Sequence, residues 1–190
     1  MTEQKQSDQK IDFDRTKTYY KVLRQDLSHH GFKYQLGLNV DTVPFNPTGS
    51  CQLGGLYFTD KENLHEFLEY GNLIADIRIP KDAKVYQDHD KYKWKADKIE
   101  IMSITPRCFH SIFNTYGYWL GAVQKNGNAL EFTPEEFKNQ YICLAAVQQY
   151  AYALEFCLGQ TREICLAAVQ QDGHTLHFVR NQTTEICLAA

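Results

Sequence analysis

The sequence predicts an α+β protein, in which a small mixed α/β N-terminal module is followed by an α-helical repeat array. The pentapeptide Ile-Cys-Leu-Ala-Ala begins at Ile142, Ile164 and Ile186, a period of 22 residues. A fixed period of this size is typical of stacked supersecondary units. Before the array, short runs rich in β-branched and aromatic residues are typical of strands.

Each repeat unit is predicted to be a pair of short helices of about 22 residues joined at a turn. A looser earlier copy aligns residues 120–132 with residues 144–156. In these copies an Ala- and Leu-rich run of good helix formers precedes a break, such as Asn126-Gly127 or Asp172-Gly173, and a second apolar run follows. The polar residues 133–140 are predicted to connect two units.

The chain divides into three predicted segments. Residues 1–15 are rich in Gln, Lys and Asp and carry too little apolar area to order themselves, which predicts a flexible tail. Residues 16–107 form the predicted α+β module, and residues 108–190 the helical repeats. The module's predicted strands are residues 18–24, 32–40, 54–60, 73–79, 84–87 and 98–104, with a helix at residues 62–70.

Charge and hydropathy argue against a nucleic-acid-binding protein and against a membrane protein. The formal net charge of −3 gives no global attraction to nucleic acid or to anionic membranes. No apolar run approaches the ~18 residues of a membrane span, so we expect no membrane segment. One run alternates lysine with aromatics, at residues 91–95. Because Asp88, Asp90 and Asp97 surround it, we interpret it as a strand with a solvated charged face rather than a nucleic-acid contact.

No metal or cofactor is predicted. Three cysteines share one repeat position and are expected to be buried, reduced thiols (Cys143, Cys165, Cys187). The remaining three form no Cys-x-x-Cys spacing (Cys51, Cys108, Cys157). His174 and His177 are three residues apart on a predicted helix, but no carboxylate or thiol one turn away completes a site.

The N-terminal half carries a set of short motifs in a fixed order: residues 20–22, 31–39, 44–46, Cys51 with residues 54–59, residues 70–71, 79–80 and 93–99. Together these motifs resemble a module of uncharacterised proteins from giant DNA viruses of amoebae. In that family the module often precedes ankyrin-like repeats. Residues 163–173 are similar to a short two-helix repeat, also of unknown function, from large viruses and some bacteria. Neither resemblance implies a catalytic residue set.

A third resemblance supplies an alternative function. The order of His30-Gly31, residues 55–60, Tyr70 and Glu100 resembles that of ADP-ribosyltransferase folds, active or degenerate. The resemblance implies that His30 holds the nicotinamide ribose of NAD, that Tyr57 and Tyr70 stack on the nicotinamide, and that Glu100 stabilises an oxocarbenium-like transition state.

The sequence therefore predicts a non-enzymatic interaction or adaptor protein of a large DNA virus, without catalytic residues. Its partner is a protein of the host or of the virus, and its location is inside the host cell, in the cytoplasm, with the nucleus and the virion left open. At the C-terminus, apolar Ile186, Leu188 and Phe178 are expected to be exposed. We predict that they are covered by a second copy of the chain in a homodimer. The alternative is that the last helix packs back on the preceding unit and leaves a monomer.

Overall fold

The computed structural model describes residues 13–48, 52–89 and 91–190, and Cys51 and most of the predicted tail lie outside these residues. Its mixed sheets and helices confirm the α+β class. The chain forms two compact units. The first comprises the residues up to Asp60 together with Leu73–Thr105, and the second comprises Lys61–Asn72 together with Pro106–Ala190. We call them the sheet unit and the helical unit.

The sheet unit is built from nine strands among its described residues: β1 Tyr19–Leu23, β2 Ser28–His29, β3 Phe32–Lys33, β4 Gly37–Val40, β5 Leu56–Phe58, β6 Leu73–Arg78, β7 Val85–Gln87, β8 Trp94–Ala96 and β9 Lys98–Pro106. They form a four-stranded sheet in the order β1-β6-β9-β4, a three-stranded sheet β5-β8-β7 and the hairpin β2-β3. Backbone hydrogen bonds of 2.8 Å in both directions between Tyr20 and Thr59 join the two larger sheets.

The predicted strand at residues 32–40 is divided in two. His30 (φ 50°) and Gly31 (φ 78°) close a two-residue hairpin turn, the geometry in which positive φ at both positions matches strand twist. Gly37 also has positive φ, and the Asn39 side chain bonds back to Gln35, so the chain leaves the extended conformation between β3 and β4.

Three residues of the predicted flexible tail are in fact ordered. The Phe13 ring stacks on Tyr19 at 4.8 Å and packs against the core of the sheet unit. Arg15 donates hydrogen bonds to the carbonyl oxygens of Pro80 (2.6 Å) and Ala83 (2.8 Å). The expectation of a tail through Arg15 therefore does not hold for residues 13–15, because one aromatic side chain supplies the apolar area that the rest of the tail lacks.

The helical unit contains α1 Tyr116–Lys125, α2 Ala129–Phe132, α3 Gln140–Gln149, α4 Arg162–Gln171 and α5 Thr184–Ala189. Its 3-10 helices are Lys61–Tyr70, Arg107–Phe109, Ser111–Phe113, Glu135–Phe137, Ala151–Phe156 and Gly173–Phe178. Helix α1 packs on α3, α3 on α4, and α4 on α5. The second member of each pair after α3 is a 3-10 helix rather than the α-helix that the composition favours.

The repeated sequence positions have repeated structural roles. The side chains of Asn139, Thr161 and Thr183 cap the N-termini of α3, α4 and α5, each by accepting a hydrogen bond from the backbone N–H of the helix's buried isoleucine. Those isoleucines are Ile142, Ile164 and Ile186, and each is at most 2% exposed. A polar cap three residues before a buried isoleucine thus recurs every 22 residues.

The expected apolar patch at the C-terminus is smaller than predicted. Ile186 is buried and Phe178 half-buried, whereas Leu188 is 84% exposed. Ile186 is covered because α5 packs back on α4 and on the 3-10 helix Gly173–Phe178. Cys187 is exposed, unlike its buried counterparts Cys143 and Cys165, so the expectation of three buried thiols is wrong at this position. The homodimer stays a prediction. Of the three side chains expected to form its interface, Leu188 alone is fully exposed.

The segment at residues 61–72 does not belong to the sheet unit, although the sequence prediction grouped it with the N-terminal module. Its Leu64 and Leu68 are buried, and the segment packs on α1 and α2. Arg107 fixes its end, because its backbone N–H donates to Asn72 O (2.7 Å) and its Nη1 to Leu68 O (3.2 Å). None of the helices in the described part of the chain is long and apolar enough to cross a membrane.

Candidate functional site

The helical unit carries a groove of about 650 Å³ that we call the acidic groove. Four glutamates line it (Glu66, Glu69, Glu131, Glu155), together with four aromatic residues (Phe132, Tyr150, Tyr152, Phe156). His65, Asn126, Asn128 and Ala129 complete the wall. Among its described lining residues there is no lysine or arginine. The groove therefore combines negative charge with aromatic surface.

The repeat places these side chains on one face. Residues 128–132 of the first unit align with residues 152–156 of the next, so Glu131 and Glu155 occupy one repeat position and Phe132 and Phe156 another. In both units the neighbouring leucine and alanine are buried, which turns the glutamate outward. Successive units consequently repeat a carboxylate beside an aromatic ring.

The opposite wall comes from the 3-10 helix Lys61–Tyr70. Glu66 Oε2 accepts a hydrogen bond of 3.1 Å from Asn126 Nδ2, and its Oε1 lies 3.1 Å from Nε2 of the buried His65. These two contacts, led by that with His65, lower the pKa of Glu66 and keep its carboxylate ionised at neutral pH. Asn126 is held in turn by the Asn128 N–H, which donates to its side-chain oxygen.

The aromatic side chains are arranged for stacking. The Tyr150 and Tyr152 rings lie 5.5 Å apart at 26°. The Arg107 guanidinium lies 5.3 Å from the centroid of the Phe132 ring, so one groove aromatic already binds a cation of the protein itself. Partial burial and the nearby Asp172 raise the pKa of Tyr152, which keeps its hydroxyl neutral. A groove of this composition can bind Lys or Arg side chains through carboxylates and ring faces.

A second, smaller cavity lies in the sheet unit and we call it the Lys21 cavity. Its volume is about 170 Å³, and its walls come from β1, the β2-β3 hairpin, residues 41–43 and residues 52–57. Lys21 is 4% exposed. Its Nζ donates to the Tyr57 carbonyl oxygen (2.8 Å), lies 3.1 Å from His29 Nδ1 and 4.8 Å from the centroid of the Tyr34 ring. Burial lowers the pKa of Lys21 to about 7.

The four residues of the ADP-ribosyltransferase-like alternative are only partly brought together. His30 and Tyr57 both line the Lys21 cavity. Glu100 lies on β9, outside the described wall of this cavity, and accepts hydrogen bonds from Arg78 Nε (3.0 Å) and Nη2 (2.8 Å). Tyr70 ends the 3-10 helix of the helical unit and is 43% exposed.

Other residues that the sequence analysis considered as metal or nucleic-acid ligands contact groups of the protein itself. His177 Nδ1 hydrogen-bonds to the His174 carbonyl oxygen and its ring packs on Phe178. In the described ranges no three His, Cys, Asp or Glu side chains are grouped to hold a metal ion. Lys95 of the lysine-aromatic run was expected on a solvated face but is 1% exposed, because its ammonium group reaches Thr48 O (3.0 Å) and the Tyr57 and Tyr86 rings.

Sequence reasoning did not single out Glu131, Glu155 or Lys21, although each has a signal. For the two glutamates the signal is their shared place in the aligned repeat units. For Lys21 it is strand alternation, because Tyr19, Lys21 and Leu23 share one face of β1 and both neighbours are buried. Lysine is rarely buried, so a lysine on a buried strand face marks a position whose surroundings must stabilise its amine.

Comparison with known proteins gives one domain family and several relatives. Residues 119–159, from within α1 to just beyond the 3-10 helix Ala151–Phe156, match a domain of unknown function (DUF4116). The chain is 41% identical over 89 residues to "Putative ankyrin repeat protein R868" of Acanthamoeba polyphaga mimivirus, which covers 44% of each chain. It is 37% identical over 78 residues to "Putative ankyrin repeat protein R229" of the same virus, covering 37% of this chain and 25% of the relative.

"Uncharacterized protein R869" of this virus is 34% identical over 68 residues, covering 35% of this chain and 49% of the relative. The predicted resemblance to giant-virus proteins is thus confirmed. The matches span less than half the length of these relatives. The repeat period of 22 residues here also differs from the ~33 residues of ankyrin repeats. No solved structure matches the chain.

Proposed function

We propose that this chain is a non-enzymatic interaction protein of a large DNA virus and that its acidic groove binds a basic segment of a partner protein. The observation that carries the proposal is the groove's lining of four glutamates and four aromatic residues, without lysine or arginine among the described ones. Carboxylates steer and orient a cationic partner, and aromatic faces add cation–π contacts to it. The relatives named for ankyrin repeats support an interaction role.

The charge of the groove disfavours a nucleic-acid partner, because its carboxylates repel phosphates. A partner of the host and one of the virus both remain within the proposal. We propose the interior of the infected cell as the place of action, and the free thiols of Cys143, Cys157 and Cys165 are in keeping with a reducing compartment.

The test is charge reversal in the groove. Proteins that bind the full chain in extracts of infected amoebae are identified by mass spectrometry, and their binding segments are mapped as synthetic peptides. For a basic peptide, the double variant Glu131→Lys, Glu155→Lys should weaken binding at least ten-fold, about 1.4 kcal/mol, as measured by isothermal titration calorimetry. Binding should also weaken as salt is added.

The matched control is Glu135→Lys, Glu136→Lys, which reverses two exposed glutamates of the same unit outside the groove wall. The control should bind the peptide like the unchanged protein. The proposal fails if both double variants bind equally well, or if the mapped segments are acidic or uncharged.

The NAD-binding alternative keeps one favourable observation, the shared cavity of His30 and Tyr57. Titration of NAD into the full chain tests it directly. Saturable binding that Tyr57→Ala abolishes without loss of the fold would favour this alternative, and absence of binding at millimolar NAD would end it.

A further inference from the structure

The Lys21 cavity has no role in the proposed interaction, and a buried amine forms part of its wall. Charged side chains in protein interiors are ordinarily paired with an opposite charge. The groups in contact with Lys21 Nζ are instead the Tyr57 carbonyl oxygen, the His29 ring and the Tyr34 ring. None of these carries a negative charge at neutral pH, because burial lowers the pKa of His29 to about 3 and raises the pKa of Tyr34.

The shape of the cavity defines what fits. Its 170 Å³ is close to the roughly 150 Å³ of an apolar cavity that binds benzene. Gly54 and Gly55 form part of the wall with φ of 90° and 137°, and a Cβ at Gly54 would come within 2.4 Å of the Pro44 carbonyl oxygen. The chain can therefore follow this path only with glycine at position 54.

The wall also limits the charge of the ligand. Phe32, Val43, Leu53 and Leu56 supply apolar surface. Asp41 contributes a carboxylate whose Oδ2 accepts a hydrogen bond of 2.6 Å from the Gly55 N–H. Lys21 is the only lysine or arginine among the described lining residues. An uncharged ligand about the size of one ring suits this mixture better than an anion.

We propose that the Lys21 cavity binds a small uncharged aldehyde or ketone and that Lys21 Nζ forms an imine with its carbonyl carbon. The amine lone pair forms the C–N bond while the C=O π electrons move to oxygen, which takes a proton from nitrogen to give a carbinolamine. The nitrogen lone pair then forms C=N as the C–O bond breaks, and the hydroxyl leaves as water with the remaining nitrogen proton. Amine and carbonyl thus become imine and water, with no change in oxidation state.

The surroundings of Lys21 favour this step. A buried amine that is half neutral at pH 7 is a better nucleophile than an ordinary lysine, of which about one in 2,500 is neutral at that pH. Burial lowers the pKa of Lys21 to about 7. The Tyr57 carbonyl and His29 Nδ1 hold the amine in place, which makes them positioning groups. The other titratable groups among the described residues of the cavity wall are His30, Asp41 and the phenols of Tyr34 and Tyr57.

The experiment uses the full chain with benzaldehyde at pH 7 and cyanoborohydride, which reduces an imine to a stable secondary amine. Peptide mapping by mass spectrometry then gives the rate at which each lysine gains one benzyl group. Lys21 should be labelled at least about ten-fold faster than exposed Lys61. It should also exceed Lys95, which is equally buried but lies outside the cavity wall and serves as the matched control.

Two variants separate the cavity from the amine. Lys21→Met removes the nucleophile and should abolish the fast labelling. Val43→Trp keeps Lys21 but places an indole at the cavity wall, and it should slow Lys21 labelling at least ten-fold, with circular dichroism reporting the fold of both. The proposal is overturned if Lys21 in the unchanged protein reacts no faster than Lys95 and Lys61, or if Val43→Trp folds and leaves the rate unchanged.

Discussion

Among the described residues, the sheet unit buries lysine side chains and the helical unit buries no lysine or arginine. In the sheet unit two lysines lie in the interior, and backbone carbonyls and aromatic rings surround their ammonium groups (Lys21, Lys95). In the helical unit the interior repeats small and branched apolar side chains, and most charges stay on the surface. The difference shows that the repeated helix pairs keep lysine and arginine at the surface, whereas the less regular packing of the strands encloses two ammonium groups.

The largest expected effect concerns the segment at residues 61–72. A fragment that ends at Arg107 retains this segment but removes α1 and α2, on which it packs. Buried Leu64 and Leu68 would then be exposed, so we expect this fragment to lack a cooperative thermal transition and to aggregate. Leu64→Gln, Leu68→Gln in the same fragment should restore solubility. A cooperative melt of the unmodified fragment would show that neither the sheet unit nor residues 61–72 need α1 and α2 in order to fold.

The next prediction tests the repeated core. Ile164 on α4 is 1% exposed between α3 and α5, whereas Leu188 on α5 is 84% exposed. Ile164→Ala should lower the free energy of unfolding by about 2–5 kcal/mol, and Leu188→Ala should change it by less than about 0.5 kcal/mol. Urea denaturation followed by circular dichroism measures both. A large loss for Leu188→Ala at concentrations of tens of micromolar, together with dissociation in sedimentation, would instead support the predicted homodimer.

The buried amine of the sheet unit gives a pH-dependent prediction. The pKa of Lys21 is lowered to about 7, so the unfolded chain binds more protons than the folded chain between about pH 7 and pH 10.4. The stability of the unchanged protein relative to Lys21→Met should therefore rise by about 3 kcal/mol from pH 7 to pH 10. Denaturant titrations at each pH measure this difference, and Lys61→Met serves as the exposed control. Parallel pH curves for all three proteins would mean that Lys21 titrates normally.

The smallest expected change in stability comes from replacing either of two glycines of the helical unit by alanine. A Cβ at Gly127 would lie 2.4 Å from the Ala146 carbonyl oxygen, whereas a Cβ at Gly121, inside α1, meets nothing within 4 Å. Gly127→Ala should therefore destabilise the protein by about 1–3 kcal/mol. Gly121→Ala should stabilise it by about 0.4–1 kcal/mol, because alanine favours the helix. Equal effects of the two changes would show that the backbone at Gly127 shifts freely.

A structural feature could be predicted from the sequence where the interactions behind it join residues close together in the chain. The α+β class and the start of each repeat helix follow from local patterns, since the caps at Asn139, Thr161 and Thr183 act within one turn. The placement of residues 61–72 could not be predicted, because an amphipathic pattern indicates a buried face without indicating which neighbour covers it.

The candidate sites also depend on contacts between distant parts of the chain, which a local sequence pattern does not reveal. The glutamates of the acidic groove could be found by aligning the units, but the wall that contains Glu66 comes from a distant part of the chain. The Lys21 cavity depends on the approach of the β2-β3 hairpin and residues 52–57 to β1, a set of long-range contacts that no local pattern encodes. Tyr70 and Glu100 were grouped with His30 by order in the sequence alone, which carries no distance.

Compared with the second helix pair, the third has a different residue at the outward position of the groove, while the buried residues of its α-helix are the same. Where Glu131 and Glu155 stand in the first two pairs, the third has His177, and Phe178 continues the aromatic position with its ring 6.0 Å from Tyr152. From the second pair to the third the outward residue changes, while the inward isoleucine, cysteine and alanine stay the same. Substitution of one outward side chain per pair would therefore change the chemistry of the surface without disturbing the packing between the helices.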